Sequence, residues 1–193
     1  MKVAPVTLRG RTVRLEPLSI DHVESLCQVG LEPALWRWIP TPVTTAEEMH
    51  AYVATALAEQ RRGVSLPFAI VEQSRSLVIG STRYANIVPS DRRLEIGWTW
   101  LTSGHQRTGA NTEAKLLLLT HAFEALGALR VEFKTDAQNE VSRRAILRLG
   151  AVEEGTLRKH RITASGRVRD TVYFSIVDSE WPAVKARLAL LLR

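Results

Sequence analysis

Six consecutive residues, Gln106-Arg107-Thr108-Gly109-Ala110-Asn111, place side-chain donors and small residues directly before a long apolar run. Gly109 and Ala110 let a backbone approach a ligand closely. Asn111 or Thr112 is expected to cap a helix running to about Leu126, with Gly127 as its C-terminal stop. The first-turn amides of a helix lack intrahelical partners and carry the positive end of its dipole. Loop and helix together therefore suit a phosphate or pyrophosphate, to which Gln106 and Arg107 add donors, and the alternative reading is an ordinary loop feeding a buried helix. Leu116, Leu117, Leu118, Leu119, Ala122, Phe123 and Leu126 leave that helix little polar face, which implies burial on two sides.

Several other chemistries are missing. The chain has no Gly-x-x-x-x-Gly-Lys phosphate loop, no Gly-x-Gly-x-x-Gly fingerprint, no His-Glu-x-x-His and no Gly-x-Ser-x-Gly elbow. Its five histidines, His22, His50, His105, His121 and His160, lack metal-ligand spacing, and only His105 sits in the anion loop. The single cysteine, Cys27, rules out an internal disulfide and a cysteine-based zinc site.

The elements that must position the loop follow from periodicity. Thr7 to Leu18 reads as a strand with Val13 and Leu15 on one face, followed by a helix starting at Ser19 or Asp21 and closed by Gly30. Trp36, Trp38 and Ile39 precede two prolines, so this connection is a short helical turn with a forced exit. Its tryptophans either pack on the core or wall an acceptor pocket. Thr44 or Thr45 caps the next helix, which Gly63 ends. Strands are expected over Leu66 to Glu72, Leu77 to Ile87 and Arg93 to Thr102, with Gly97 marking a bulge or a close ligand approach. Arg130 to Thr135 alternates as a strand and leads to the helix Val141 to Leu149, so a parallel crossover links it to the strand before the anion loop. A long hairpin, Ala151 to Ile162 and Val168 to Val177, and a final helix capped by Ser179 complete a mixed α+β fold over 1–193.

With 193 residues, 45% hydrophobic and 24% charged, the chain fits one domain able to bury a core. The first eighteen residues hold no apolar core of signal-peptide length, and no segment approaches the roughly 20 apolar residues of a membrane span. A cytoplasmic location is expected, without membrane partners. The net charge of +6 gathers on Arg143, Arg144 and Arg148 and on a hairpin with Arg158, Lys159, His160, Arg161, Arg167 and Arg169. Few aromatic residues stand there, so the stacking platform of a single-strand binder is missing and no direct nucleic-acid binding is expected.

The run from Gln106 to Asn111 resembles the Gln/Arg-x-x-Gly-x-Gly/Ala acyl-CoA loop of the GNAT acetyltransferases, with Asn111 in place of the final small residue. LEIGWTWL resembles that family's fourth strand, and DAQNEVSRRAILRLGAVEEGTLRKH resembles a segment of its ribosomal-protein N-terminal acetyltransferase (RimJ/RimL-like) branch. The opening RTVRLEPL and the tail RDTVYFSIVDSEW match as well, so the resemblance spans nearly the whole chain. It implies one GNAT domain: a twisted, mainly antiparallel sheet of about six to seven strands whose fourth and fifth strands splay apart, flanked by helices. Acetyl-CoA is implied as co-substrate, its pyrophosphate held by Gln106, Arg107, Thr108, Gly109, Ala110 and Asn111 and its arm by Asn139 and Ser142.

The same resemblance makes Ser142 the candidate acid for the departing thiolate, because the position of a related branch's tyrosine is occupied by Ile146. Glu95 is the candidate base, through water, and its alternative reading is a surface carboxylate paired with an arginine. With so little base chemistry, a peptide or protein N-terminal α-amine is the expected acceptor, ribosomal proteins included. A small amine such as a polyamine, antibiotic or amino-acid-like toxin, held by Trp36, Trp38 and the final hairpin, is the alternative. A non-catalytic acyl-CoA-responsive module is a third. The oligomeric state, monomer or homodimer, stays open.

Overall fold

The computed structural model describes residues 1–193. Its strands are β1 (Leu8–Arg9), β2 (Val13–Pro17), β3 (Leu66–Glu72), β4 (Leu77–Val88), β5 (Arg93–Leu101), β6 (Arg130–Asp136), β7 (Val152–Ile162) and β8 (Val168–Val177). Its helices are α1 (Val23–Gly30), α2 (Pro33–Trp36), α3 (Ala46–Arg61), α4 (Gly109–Thr120), α5 (Glu140–Leu149) and α6 (Trp181–Leu191). All eight strands join one sheet in the order β1-β2-β3-β4-β5-β6-β8-β7, and every neighbouring pair is antiparallel except β5 and β6.

Eight strands replace the expected six to seven because the first expected strand divides. The Glu113 carboxylate of α4 accepts the amides of Arg11 at 2.6 Å, Thr12 at 2.8 Å and Val13 at 2.9 Å, which turns the chain between β1 and β2. Alternation then sends residues to two faces. Val13, Leu15, Phe68, Ile70, Tyr84, Leu94 and Ile96 pack with α4 and α6 on one face. Ala69, Val71 and Trp100 pack with α1, α3 and Trp36 on the other.

The parallel ladder is short, and this shapes the molecule. Only Arg93, Leu94 and Glu95 of β5 pair with Arg130, Val131 and Glu132 of β6. Beyond them β5 stays with β4 as far as Leu101, and β6 stays with β8 as far as Asp136. The two strands therefore diverge into a V whose apex is Glu95 and Glu132. Unpaired strand edges need hydrogen-bond partners, so the V is shaped to accept an extended polar chain.

Helix α4 begins earlier than the sequence reading placed it. Thr108, not Asn111 or Thr112, is its cap, with the hydroxyl accepting from Ala110 N at 3.2 Å. Its far end widens into a π-helical turn over His121–Ala125. Asn139 caps α5 by accepting from Ser142 N at 3.1 Å, and Gly150 follows in the left-handed region at φ 106°. Thr45 caps α3 as expected, whereas Glu180 rather than Ser179 occupies the cap position of α6. No helix is long and apolar enough to cross a membrane.

Candidate active site

The anion end forms where β5 turns into α4. Gln106 Nε2 donates to Leu101 O at 2.9 Å, which ties the loop to the strand, and Thr108 Oγ1 donates to His105 O at 2.8 Å. Between them Arg107, at φ 60°, is exposed two residues before the helix starts. Thr108 satisfies a single first-turn amide, so neighbouring amides of α4 remain for an anion. Arg148 of α5 reaches the same place and donates to Thr112 Oγ1 at 2.9 Å, adding a second guanidinium. The sequence shows Arg148 only as one of a basic cluster with Arg143 and Arg144, because its partner lies 36 residues away.

Along the V, β5 is kinked. Between the pairs Ser81–Trp100 and Arg83–Gly97, β4 supplies Thr82 alone while β5 supplies Trp98 and Thr99, and Trp98 sits at φ 48°. This is the bulge anticipated at Gly97. Trp98 and Trp100 turn toward the α3 side, where Arg83 stacks on Trp98 at 5.1 Å and Trp36 packs on Trp100 at 5.3 Å. Thr99 turns toward α4 and meets Lys115 Nζ at 2.6 Å. Burial pulls the Lys115 ammonium down to about 7, with no carboxylate to oppose it.

At the apex, Glu95 is buried at 4% exposure, not a surface group. Its Oε2 pairs with Lys134 Nζ at 2.8 Å and accepts from Asn86 Nδ2 at 2.5 Å. The pairing with a cation is therefore met, by a lysine instead of an arginine. Lys134 also lies over the Tyr173 ring at 5.0 Å, and the Glu95 charge raises its pKa against the opposing pull of burial. A cavity of about 570 Å³ beside this pair is lined by Asn86, Arg93, Glu132, Lys134, His160 and Tyr173, among others.

His160 enters that cavity through a second irregularity, which sequence reasoning missed. Between the pairs Leu157–Thr171 and Arg161–Arg169, β8 contributes Asp170 while β7 contributes Arg158, Lys159 and His160. Lys159 sits at φ 51° and its amide donates to Asp170 Oδ1 at 2.6 Å. The bulge rotates His160 inward, so that it alone on an otherwise exposed β7 is partly covered, 5.9 Å from the Tyr173 ring. Its Nδ1 is buried without a partner. Burial, and the charges of Arg161, Lys134 and Arg169, depress its pKa, so the ring is neutral near pH 7.

A second cleft of about 420 Å³ runs between Trp36, Arg37, Trp38 and Pro40 and the end of the β7–β8 hairpin, with Asp136 and Gln138 between them. Trp36 and Trp38 thus both line an opening, though Trp36 is chiefly core: it is 2% exposed and donates Nε1 to Gly30 O at 2.7 Å. At the start of α5 Ser142 is half-buried, while Ile146 is buried apolar surface. The structure therefore gathers Gln106 to Asn111 at one end of the V and places Glu95 at its apex. Asn139 and Ser142 stand beyond β6, and the tryptophans on the opposite face.

A family model described as an acetyltransferase (GNAT) domain matches residues 12–152. A GCN5-related N-acetyltransferase from Brucella melitensis superposes on the chain with a TM-score of 0.92 and 32% identity, covering 100% of this chain and 88% of that one. RimJ from Mycobacterium smegmatis, in complex with CoA-disulfide, superposes with a TM-score of 0.85 and 25% identity over 98% and 96% of the two chains. The ribosomal-protein-serine acetyltransferase of Escherichia coli (strain K12) is 25% identical over 176 residues, 89% of this chain and 96% of its own.

Proposed function

The chain belongs to the GNAT acetyltransferases, whose members use acetyl-CoA, and on that footing we propose that it acetylates the α-amine of peptide or protein N-termini. One observation carries this acceptor choice: the apex carboxylate, Glu95, is already committed to Lys134. A lysine acceptor with a pKa near 10.4 costs about 4 to 5 kcal/mol to neutralise at pH 7, while an α-amine near 7.7 to 8.0 costs about 1. A site without a free strong base suits the second. The similarity to ribosomal-protein acetyltransferases supports N-termini of ribosomal proteins as acceptors.

In this reading Gln106, Arg107, Thr108, Gly109, Ala110 and Asn111 hold the pyrophosphate, with Arg148 beside them. Asn111 is tolerated because the cap role falls to Thr108, so only its backbone need face phosphate. The free edges of β5 and β6 accept the extended arm, and Asn139 and Ser142 approach it from α5. Bound acetyl-CoA supplies an activated acyl group. Ser142 Oγ, which makes no hydrogen bond within the protein, passes a proton to the departing thiolate as it takes one from solvent water. His160 takes the amine's proton, directly or through water near Glu95, and Trp36 and Trp38 wall the acceptor side. Residues 1–193 act as one domain.

Thiol release is to be followed with a peptide bearing a free N-terminus and with the same peptide N-terminally blocked but carrying lysine. Faster turnover of the first is expected. Preference for the blocked peptide, or turnover of polyamines alone, overturns the reading.

A further inference from the structure

The cleft below Trp38 holds an uncompensated positive charge. Four of its lining residues, Arg37, Arg161, Arg167 and Arg169, are cations, and Asp136 is the sole carboxylate among the lining residues. Asp136 is 2% exposed and serves to aim two of the four: it pairs with Arg167 Nη2, and its Oδ2 lies 3.8 Å from Arg169 Nε. Its other oxygen accepts Gln138 N at 3.0 Å. Arg37 and Arg161 have no carboxylate partner, and Arg169 Nε is buried without a hydrogen bond. Burial pushes the Arg169 pKa down against the pull of Asp136, and the charges of Arg161 and Arg167 add to the fall, so the guanidiniums repel one another. Trp38 carries Arg37 at 4.9 Å and Arg167 at 5.9 Å from its ring, which fixes donors from both walls.

Like charges are brought together at a cost, and a matching anion relieves it. The cleft also lies where an acceptor's chain must go. Asp136 stands four residues beyond Glu132 and two beyond Lys134 on β6, which is about 7 to 13 Å from the apex of the V. An extended peptide advances about 3.3 Å per residue, so with its amine at the apex its next few side chains arrive among the arginines. Arg161 lines both the apex cavity and this cleft, so the two are neighbours.

We propose that the protein selects acceptors by acidity: the Arg37–Arg161–Arg167–Arg169 cleft binds carboxylates at about the second to fourth positions of an acidic N-terminal peptide. This rests on the N-terminal acceptor reading and adds the substrate class to it. The surface is not a nucleic-acid platform, because the cleft carries a buried carboxylate, Trp36 is almost wholly buried and Trp38 is already covered by guanidinium groups.

The test uses three peptides with the same first residue, followed by glutamates, glutamines or lysines, with the full-length protein and acetyl-CoA. The kcat/KM for the glutamate peptide is expected to exceed that of the glutamine peptide about tenfold at low ionic strength, and to converge on it at about 0.5 M salt. The lysine peptide is expected to be slowest. The double variant Arg37→Glu with Arg161→Glu breaks no ion pair and should keep its melting temperature while inverting the order of the acidic and basic peptides. Equal kcat/KM for the three peptides overturns the proposal and leaves N-terminal acetylation standing. No turnover of any peptide beside turnover of a small amine overturns the N-terminal reading itself. Tight retention of a labelled oligoribonucleotide, without discrimination among the peptides, assigns the arginines to RNA and overturns the proposal.

Discussion

Lys115 Nζ donates to Thr99 Oγ1 at 2.6 Å, at the stretch of β5 that β6 has left, and no carboxylate stands beside it. An ammonium has three donors and this one has a single partner within the protein. It sits on the covered side of α4, with Thr112 and the fully covered Leu118 and Leu119.

That burial sets a pH dependence of stability. The folded-state pKa of Lys115, about 7, lies below its ordinary value of 10.5. Between those two values the unfolded chain holds the extra proton, so stability rises with pH across this window. Below pH 7 both states are protonated and the burial cost is felt in full. The ceiling of the effect is about 5 kcal/mol. Lys115→Met is expected to be about 2 kcal/mol more stable than the parent at pH 7, after the loss of one hydrogen bond, with the advantage gone near pH 10. Urea unfolding at several pH values measures it, and a gap that does not change with pH contradicts it.

Much of the scaffold is legible from local pattern, and the parts that are not share a cause. The alternation of Val13 and Leu15, the cap at Thr45 and the apolar run of α4 are short-range, so each shows in a window of a few residues. The lysine within that run is not marked as special, because its burial depends on Thr99, 16 residues away across a crossover. The strand count failed at Arg11–Val13, where the bend comes from Glu113 about a hundred residues later. The inward turn of His160 depends on Asp170 holding the Lys159 amide, a detail of hairpin register to which neither strand's own alternation is sensitive. The V was legible only through the resemblance, since the three-residue overlap of β5 and β6 leaves no trace in periodicity.

Donor binding can be separated from catalysis at the start of α4. Thr108→Val removes the hydroxyl that accepts Ala110 N and is expected to cost about 1 kcal/mol of stability. Arg148→Ala removes the guanidinium held at Thr112, with little packing lost. Both are expected to raise KM for acetyl-CoA, Arg148→Ala by about tenfold, while kcat changes less than threefold. A fall in kcat at unchanged KM contradicts the placement of the pyrophosphate here.

The apex pair has a stability signature that a freely solvated catalytic carboxylate lacks. Glu95→Gln leaves Lys134 half-buried beside a neutral amide and is expected to destabilise the protein by about 3 kcal/mol. Adding Lys134→Met removes the stranded charge and should restore more than half of that loss. If Glu95→Gln retains the parent's melting temperature but loses activity, Glu95 acts in the reaction chiefly as a base and the pair is incidental.

His160 offers the sharpest test of the proton path. It lies inside the apex cavity with a neutral ring, because burial and the nearby cations Arg161, Lys134 and Arg169 hold its pKa below the usual histidine value. A base of that kind is active at neutral pH and is lost as pH falls through its depressed pKa, which places an acid limb below about 6.5 in the kcat profile. His160→Gln keeps the ring's volume approximately and a polar atom toward the cavity, so folding is preserved. It is expected to lower kcat by about a hundredfold, leave KM for acetyl-CoA unchanged and abolish that acid limb. Ser142→Ala, acting on the departing thiolate instead, should lower kcat and leave the acid limb in place. A His160→Gln protein with the parent's kcat and the parent's acid limb would return the ring to a packing role and leave the amine's proton to water.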